Sequence, residues 1–325
     1  MPQFDLPLEQ LQSYRSRQVE PAGLDAFWRG TLDEARSVAH APAFAPYREA
    51  DYPLVEISDV TFSGFAGHPV RAWLIVPRGT NRPLPCMVRF IGYGGGRDIP
   101  LRYLAAPAAG VAVFVMDTRG QGGTWSPGDT GDDTDLSRGP EHPGVMSRGI
   151  TTPETYYYRR LYTDAVRAVE TAAAHYSIDE TRIAVGGTSQ GGGVSLAAAA
   201  LAPNLIRLVQ ADIPYLCDIP RGIETAIQHP YVELAEFFAL YPGLVEQALE
   251  TLTYFDCAVL ATRITARSQL SVALMDDICP PATVFAAYNA IEAEKEIAVF
   301  PYSGHTVPSA HEELRLSELR QILAA

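Results

Sequence analysis

Downstream of Pro85 the chain alternates short apolar runs with helical stretches, and this rhythm restricts the fold more than any other feature. The runs occupy residues 86–91, 111–116, 183–185, 208–213, 270–275 and 297–300. Each is too short for a buried helix and is rich in Val and Ile, the pattern of strands covered on both faces. Residues 157–175 and 191–201 read as helices between them. Strand, helix, strand at this pitch predicts an α/β fold with a mostly parallel central sheet, right-handed crossovers and helices on both faces. With 325 residues, 47% of them hydrophobic and 19% charged, the chain can bury a sizeable core.

Ahead of this region, residues 1–50 read as an N-terminal helical extension, with apolar residues at helical spacing over 24–38. Runs at 55–62 and 69–76, joined by Ser63-Gly64-Phe65-Ala66-Gly67-His68, read as a hairpin. Two segments break the rhythm. Residues 119–155 are rich in Gly, Pro and Asp and show no period; a loop this long inside a domain is expected to be functional or to meet a partner. It carries Trp125, Val145, Met146 and Ile150, with Tyr156 just beyond, beside Asp129, Asp132, Asp133 and Asp135. Burial of those apolar groups against a neighbouring subunit is the expectation. Residues 221–254 read as a cap-like helical insertion over one edge. With no internal repeat and no low-complexity linker, one elaborated domain spanning 1–325 is expected.

The sharpest local signal is Gly187-x-Ser189-x-Gly191, with a strand before it and the small-residue helix VSLAAAAL after it. That is the setting of a nucleophile elbow. The turn strains the serine backbone, so small residues are needed two positions to either side. The helix that follows points its N-terminus at developing negative charge. A serine hydroxyl needs a base, and in such folds the acid and then the histidine follow it in the chain. The run at 270–275 leads into Asp276-Asp277, and the run at 297–300 leads into Pro301-Tyr302-Ser303-Gly304-His305. Asp276, directly after its strand, is preferred to Asp277. His305 is preferred to His311, which sits at the start of a final helix and is expected to face solvent. His40, His68, His142, His175 and His229 lack motif context and read as surface or structural residues. For an oxyanion hole, one donor should be the backbone N–H of Gln190, and the second that of Tyr93 in Phe90-Ile91-Gly92-Tyr93-Gly94-Gly95-Gly96. Gly92, Tyr93 and Pro214 are the expected substrate contacts.

Other function classes are disfavoured. Twenty-five basic against 38 acidic residues leave a net charge of −13, which repels phosphate backbones, so no nucleic-acid partner is expected. No apolar run approaches the roughly 20 residues of a membrane span, and the first residues do not read as a signal peptide. Cys86, Cys217, Cys257 and Cys279 are scattered, without zinc-like spacing; they read as reduced thiols of a cytoplasmic protein. No metal and no cofactor are expected.

The residues also carry a resemblance. Phe4-Asp5-Leu6-Pro7-Leu8, Asp59-Val60-Thr61-Phe62-Ser63-Gly64, Ile91-Gly92-Tyr93, Asp117-Thr118-Arg119-Gly120-Gln121-Gly122, Gly187-Thr188-Ser189-Gln190-Gly191-Gly192 and Leu274-Met275-Asp276-Asp277-Ile278-Cys279-Pro280-Pro281 together cover nearly the whole chain. They resemble the acetyl xylan esterase / cephalosporin C deacetylase family of carbohydrate esterases. The resemblance implies an α/β-hydrolase fold and removal of acetyl groups from acetylated xylo-oligosaccharides, other small acetyl esters and cephalosporin C. It maps the catalytic residues to Ser189, Asp276 and His305, gives Arg119-Gly120-Gln121 a structural role near the active-site loops, and implies a homo-oligomer, often a hexamer, held in part by the long loop. The family's His-Glu pair is His305-Thr306 here; the Glu is no triad member, so activity is still expected. A broad carboxylesterase or peptidase-like hydrolase on the same fold is the alternative enzyme, and a non-catalytic binding protein the alternative outside enzymes.

Overall fold

A computed structural model describes residues 3–80, 83–132 and 143–324; Asp133, Asp135 and His142 lie outside them. Among the described residues, nine strands form one mixed sheet: β1 (Ala43–Pro46), β2 (Val55–Ser63), β3 (Pro69–Pro77), β4 (Leu84–Arg89), β5 (Ala112–Met116), β6 (Ile178–Thr188), β7 (Leu208–Asp212), β8 (Arg267–Ala273) and β9 (Lys295–Phe300). Their order is β1-β2-β3-β5-β4-β6-β7-β8-β9. From β5 to β9 every pairing is parallel, and β1, β2 and β3 extend the sheet antiparallel. All six runs read from sequence downstream of Pro85 become these parallel strands, and the expected hairpin is β2–β3. The N-terminal extension is not all helical, because it also supplies the edge strand β1. Four residues ending in Pro give no alternating pattern, and pairing with β2 through Ala43↔Thr61 to Pro46↔Ser58 makes the strand.

The helices are α1 (Leu8–Leu11), α2 (Leu24–Ser37), α3 (Ala105–Ala108), α4 (Tyr157–Ala173), α5 (Gln190–Leu201), α6 (Ile219–Thr225), α7 (Tyr231–Leu240), α8 (Val245–Thr253), α9 (Cys257–Leu260), α10 (Pro281–Ala290) and α11 (Ser309–Ala324). They cover both sheet faces, because strand side chains alternate. In β3, Ala72, Leu74 and Val76 join the core beneath α4 and α5, while Trp73 and Ile75 point to the opposite face with Leu319 and Leu323 of α11. In β5, Ala112, Phe114 and Met116 part from Val113 and Val115 in the same way. Helix α5 is buried from Gln190 to Ala200, so it has no polar face. Helices α6, α7 and α8 form the segment expected as a cap.

The long loop departs from expectation. Val145, Met146, Ile150 and Tyr156 are buried in this chain's own core, and only Trp125 of the five apolar residues is exposed, at 61%. Those four side chains pack within the chain, so they give no argument for a neighbouring subunit. The loop is anchored by buried charge. Arg119 donates to both carboxylate oxygens of Asp164 (2.6 and 2.9 Å), and Arg160 does the same to Asp132 (2.8 and 2.7 Å). Arg119 also lies 3.4 Å from Asp132, so the four alternate in sign. Burial alone would raise the Asp132 pKa; the hydrogen bond and charge of Arg160, with Arg119 and Arg148, hold it below the usual value.

Removing Arg119 leaves the Asp164 carboxylate buried without its bidentate countercharge. Arg119→Met is therefore expected to cost about 3–5 kcal/mol of stability, read as a lower denaturant midpoint. A midpoint equal to wild type would show that the buried network does not hold the loop.

Candidate active site

Strand β6 ends at Thr188 and α5 begins at Gln190, so the turn is made at Ser189 alone. Its backbone has φ 58° and ψ −121°, a region that L-residues rarely adopt. Neighbouring backbone presses close on both sides. A Cβ at Gly187 would lie 2.6 Å from the Phe90 carbonyl oxygen, and one at Gly191 would lie 2.3 Å from the same atom. Glycine is required at both places for that reason. The Ser189 N–H donates to the Asp212 carbonyl (2.9 Å), and the Ser189 carbonyl accepts from Tyr215 and Gly193 (3.0 Å each), so the strained residue is tied on both sides.

Asp276 lies in the turn beyond β8 and is fully buried. One carboxylate oxygen accepts the N–H groups of Ile278 (3.0 Å) and Cys279 (2.9 Å); the other lies 2.8 Å from His305 Nδ1. His305 follows β9, and its ring meets Asp276, not Asp277. With Nδ1–H donated to the carboxylate, Nε2 is the free basic nitrogen. Ser189 and His305 line one cavity of about 640 Å³ with Gly92, Tyr93, Trp125, Ile278, His229 and Pro230. It opens at the carboxyl ends of the parallel strands, where ligands bind in such sheets. A second cavity of about 580 Å³ lies at the opposite strand ends, beside Arg207 and Arg267, and holds none of these residues.

Thr306 is exposed, and the His305–Asp276 bond forms without it. Pro214 does not line the cavity; it is buried against Gly192 of α5. His229, assigned no role from sequence, is in the cavity wall. His311 does not face solvent. It is buried at 5% exposure, its Nε2 lies 2.8 Å from Asp212, and His311, Arg315, Leu319 and Leu323 form the buried stripe of α11. That spacing of four was the readable signal.

The only group of three metal-type donors close together among the described residues is Asp276, Cys279 and His305, within 4.8 Å of one another. Two of these, Asp276 and His305, are already hydrogen-bonded to each other. The third, the Cys279 thiol, is fully buried; burial and the Asp276 charge push its pKa far up, partly offset by a hydrogen bond from Ser189. It stays a thiol and not a nucleophile.

Beside Ser189, Gln121 and Gln190 interlock through their side-chain amides. Gln121 accepts from the Gly94 N–H (2.7 Å) and donates to Gln190 Oε1 (3.0 Å) and Tyr157 (2.8 Å). Gln190 donates to the Ile91 carbonyl (3.2 Å) and accepts from Tyr158 (3.0 Å). The Arg119-Gly120-Gln121 motif thus ties the Tyr93 turn to the elbow.

A family model described as acetyl xylan esterase matches residues 1–321. The solved acetyl xylan esterase of a Paenibacillus species is 34% identical, with a TM-score of 0.91, covering 97% of this chain and 99% of its own. That of a Thermoanaerobacterium species is 33% identical, with a TM-score of 0.90, covering 98% and 99%. An acetyl esterase of Xylanibacter ruminicola is 25% identical over 296 residues, or 89% of this chain; the match spans 64% of that relative's length. The expected α/β-hydrolase fold is therefore the observed one.

His311 supports the elbow from behind, since Asp212 both meets its ring and accepts the Ser189 N–H. Burial alone would raise the Asp212 pKa; the His311 hydrogen bond, the Arg315 and His311 charges and Ser271 hold it below the usual value. Its stabilisation is present above the ordinary carboxylate pKa of about 3.9 and is lost as pH falls through the lower folded value. His311→Ala should cost about 1–3 kcal/mol in a denaturant titration, with a flatter loss of stability on acidification. An unchanged midpoint would mean that the contact carries no stability.

Proposed function

The chain belongs to the acetyl xylan esterase family, and on that premise we propose that it is a serine esterase hydrolysing acetyl esters of small substrates through an acetyl-enzyme. The observation that carries this reading is the Asp276–His305 hydrogen bond of 2.8 Å at a cavity that also holds the strained Ser189. Ser189 attacks the acetyl carbonyl while His305 Nε2 takes its proton, and Asp276 holds the imidazole tautomer and stabilises the imidazolium. The backbone N–H groups of Tyr93 and Gln190 receive the oxyanion. His305 then protonates the departing sugar oxygen, and water releases acetate by the same steps in reverse.

Tyr93, Pro230 and Ile278 line the cavity that holds Ser189, and these bulky side chains support a short acyl group. Asp98 and Arg102, on the same cavity wall, suit a hydroxylated leaving group. The reading extends to acetylated xylo-oligosaccharides, other acetylated sugars and cephalosporin C as substrates. A homo-oligomer, specifically a hexamer, is proposed on the family resemblance alone. A cytoplasmic location is supported by four buried free cysteines.

Ser189→Ala should fold as wild type and lose at least about 10³-fold in kcat on p-nitrophenyl acetate. The wild-type rate should fall steeply from acetate to butyrate. Near-native turnover in the variant would remove the nucleophile assignment, and equal rates along the acyl series would favour a broad carboxylesterase. The assembly is read separately. Light scattering at micromolar concentration should give a mass well above a dimer, and a monomer there would remove the hexamer.

A further inference from the structure

The turn carrying Tyr93 is held from three directions, and one of the anchors stands on α7, far from the elbow in sequence. The Gly94 N–H donates to Gln121 Oε1 (2.7 Å), and Trp125 Nε1–H donates to the Tyr93 carbonyl (2.7 Å). The third anchor is the Tyr93 side chain. Its hydroxyl lies 2.8 and 2.9 Å from the two carboxyl oxygens of Glu233 and accepts the Val145 N–H at 2.8 Å. The Met146 N–H also donates to Glu233 (3.3 Å).

Glu233 is buried at 4% exposure. Its carboxyl packs against the backbone of Gly144, where a Cβ would come within 2.1 Å of Oε2. One carboxyl group therefore joins the turn after β4, the long loop at 144–146, and α7. Helix α7 itself starts directly after His229 and Pro230 of the cavity wall. Burial, then the Glu233 charge, push the Tyr93 phenol pKa far up, so it remains a hydrogen-bond donor. Burying a carboxyl group carries a desolvation penalty, and what this one grips is the side chain of the residue whose N–H meets the oxyanion.

We propose that Glu233 is a positioning residue for ester hydrolysis, fixing the Tyr93 backbone N–H toward the oxyanion by holding the Tyr93 hydroxyl from the cap-like segment. The proposal rests on the reading of Tyr93 as an oxyanion donor. Such a donor must lie about 2.7–3.1 Å from the place the oxyanion will occupy. A turn free to swing weakens that bond most when charge has developed, so the effect falls on the transition state more than on substrate binding.

The test compares wild type, Glu233→Gln, Tyr93→Phe and the double variant on p-nitrophenyl acetate, each normalised to its titrated active sites. Glutamine keeps the shape but sets an amide N–H₂ where a carboxyl oxygen accepted. Each single variant should lose about 10- to 100-fold in kcat, less than the 10²–10³ of deleting a donor, with KM nearly unchanged. Trifluoroacetone, which adds to the serine as an anionic hemiketal, should bind more weakly by the factor lost in kcat/KM. The double variant should be no worse than the worse single one, because both break the same contact. If Glu233→Gln does not fold, Tyr93→Phe carries the same measurements. Unchanged kcat, a kcat loss with unchanged trifluoroacetone affinity, or losses that multiply would each overturn the proposal. A wild-type protein inactive on acetyl esters would instead overturn the esterase reading beneath it.

Discussion

The positive φ of Ser189 is the constraint around which the rest of the molecule is arranged. A residue in that region costs on the order of 1–3 kcal/mol and persists only where its surroundings over-determine it. Here the parallel register does so. Thr188 pairs with Asp212, and the Asp212 carbonyl then receives the Ser189 N–H. Glycines 187 and 191 let the Phe90 carbonyl pass close by, which brings the end of β4 and its Tyr93 turn beside the elbow. The position and strain of Ser189 and the closeness of the Tyr93 turn are consequences of one tight turn.

The surroundings of that turn are polar and buried, yet nearly all satisfied. The Gln121–Gln190 amide pair and the Glu233–Tyr93 contact, with the Val145 N–H on Tyr93, join the irregular segment after β5 to the elbow and the Tyr93 turn, and the Arg119–Asp164 and Arg160–Asp132 pairs tie it to α4. A loop without regular structure must find partners for its backbone and its charges elsewhere. In this fold it finds them on α4, at the elbow and at the Tyr93 turn, so the loop's order and the geometry around Ser189 are linked. Among the described residues only Gln18 Oε1, Tyr156 Oη and Arg221 Nε are buried side-chain polar atoms without a partner.

What the sequence disclosed follows from the range of the forces involved. The elbow was legible because its requirements are local: a strand, two glycines and a small-residue helix, all within residues 183–201. Asp276 and His305 were legible because each follows a readable strand, though the bond between them spans 29 positions. Glu233 was not, since it meets Tyr93 across 140 positions and sits in an ordinary helical pattern. Strand β1 exists by pairing with β2. The loop residues Val145, Met146, Ile150 and Tyr156 showed that something must be buried, but a sequence does not say against what, and the answer was this chain's own core. His311 was misjudged because a helix start looks solvated until its spacing to Arg315, Leu319 and Leu323 is counted.

The central claim is that one hydroxyl, on a strained turn and served by the Asp276–His305 pair, is the reactive group of this chain. A fluorophosphonate probe followed by intact-mass measurement and peptide mapping tests it directly. The account predicts one adduct per chain, on the peptide containing Ser189, with labelling greatly slowed in His305→Ala because the base is gone. No adduct, or an adduct mapped to another residue such as Cys279, would contradict it.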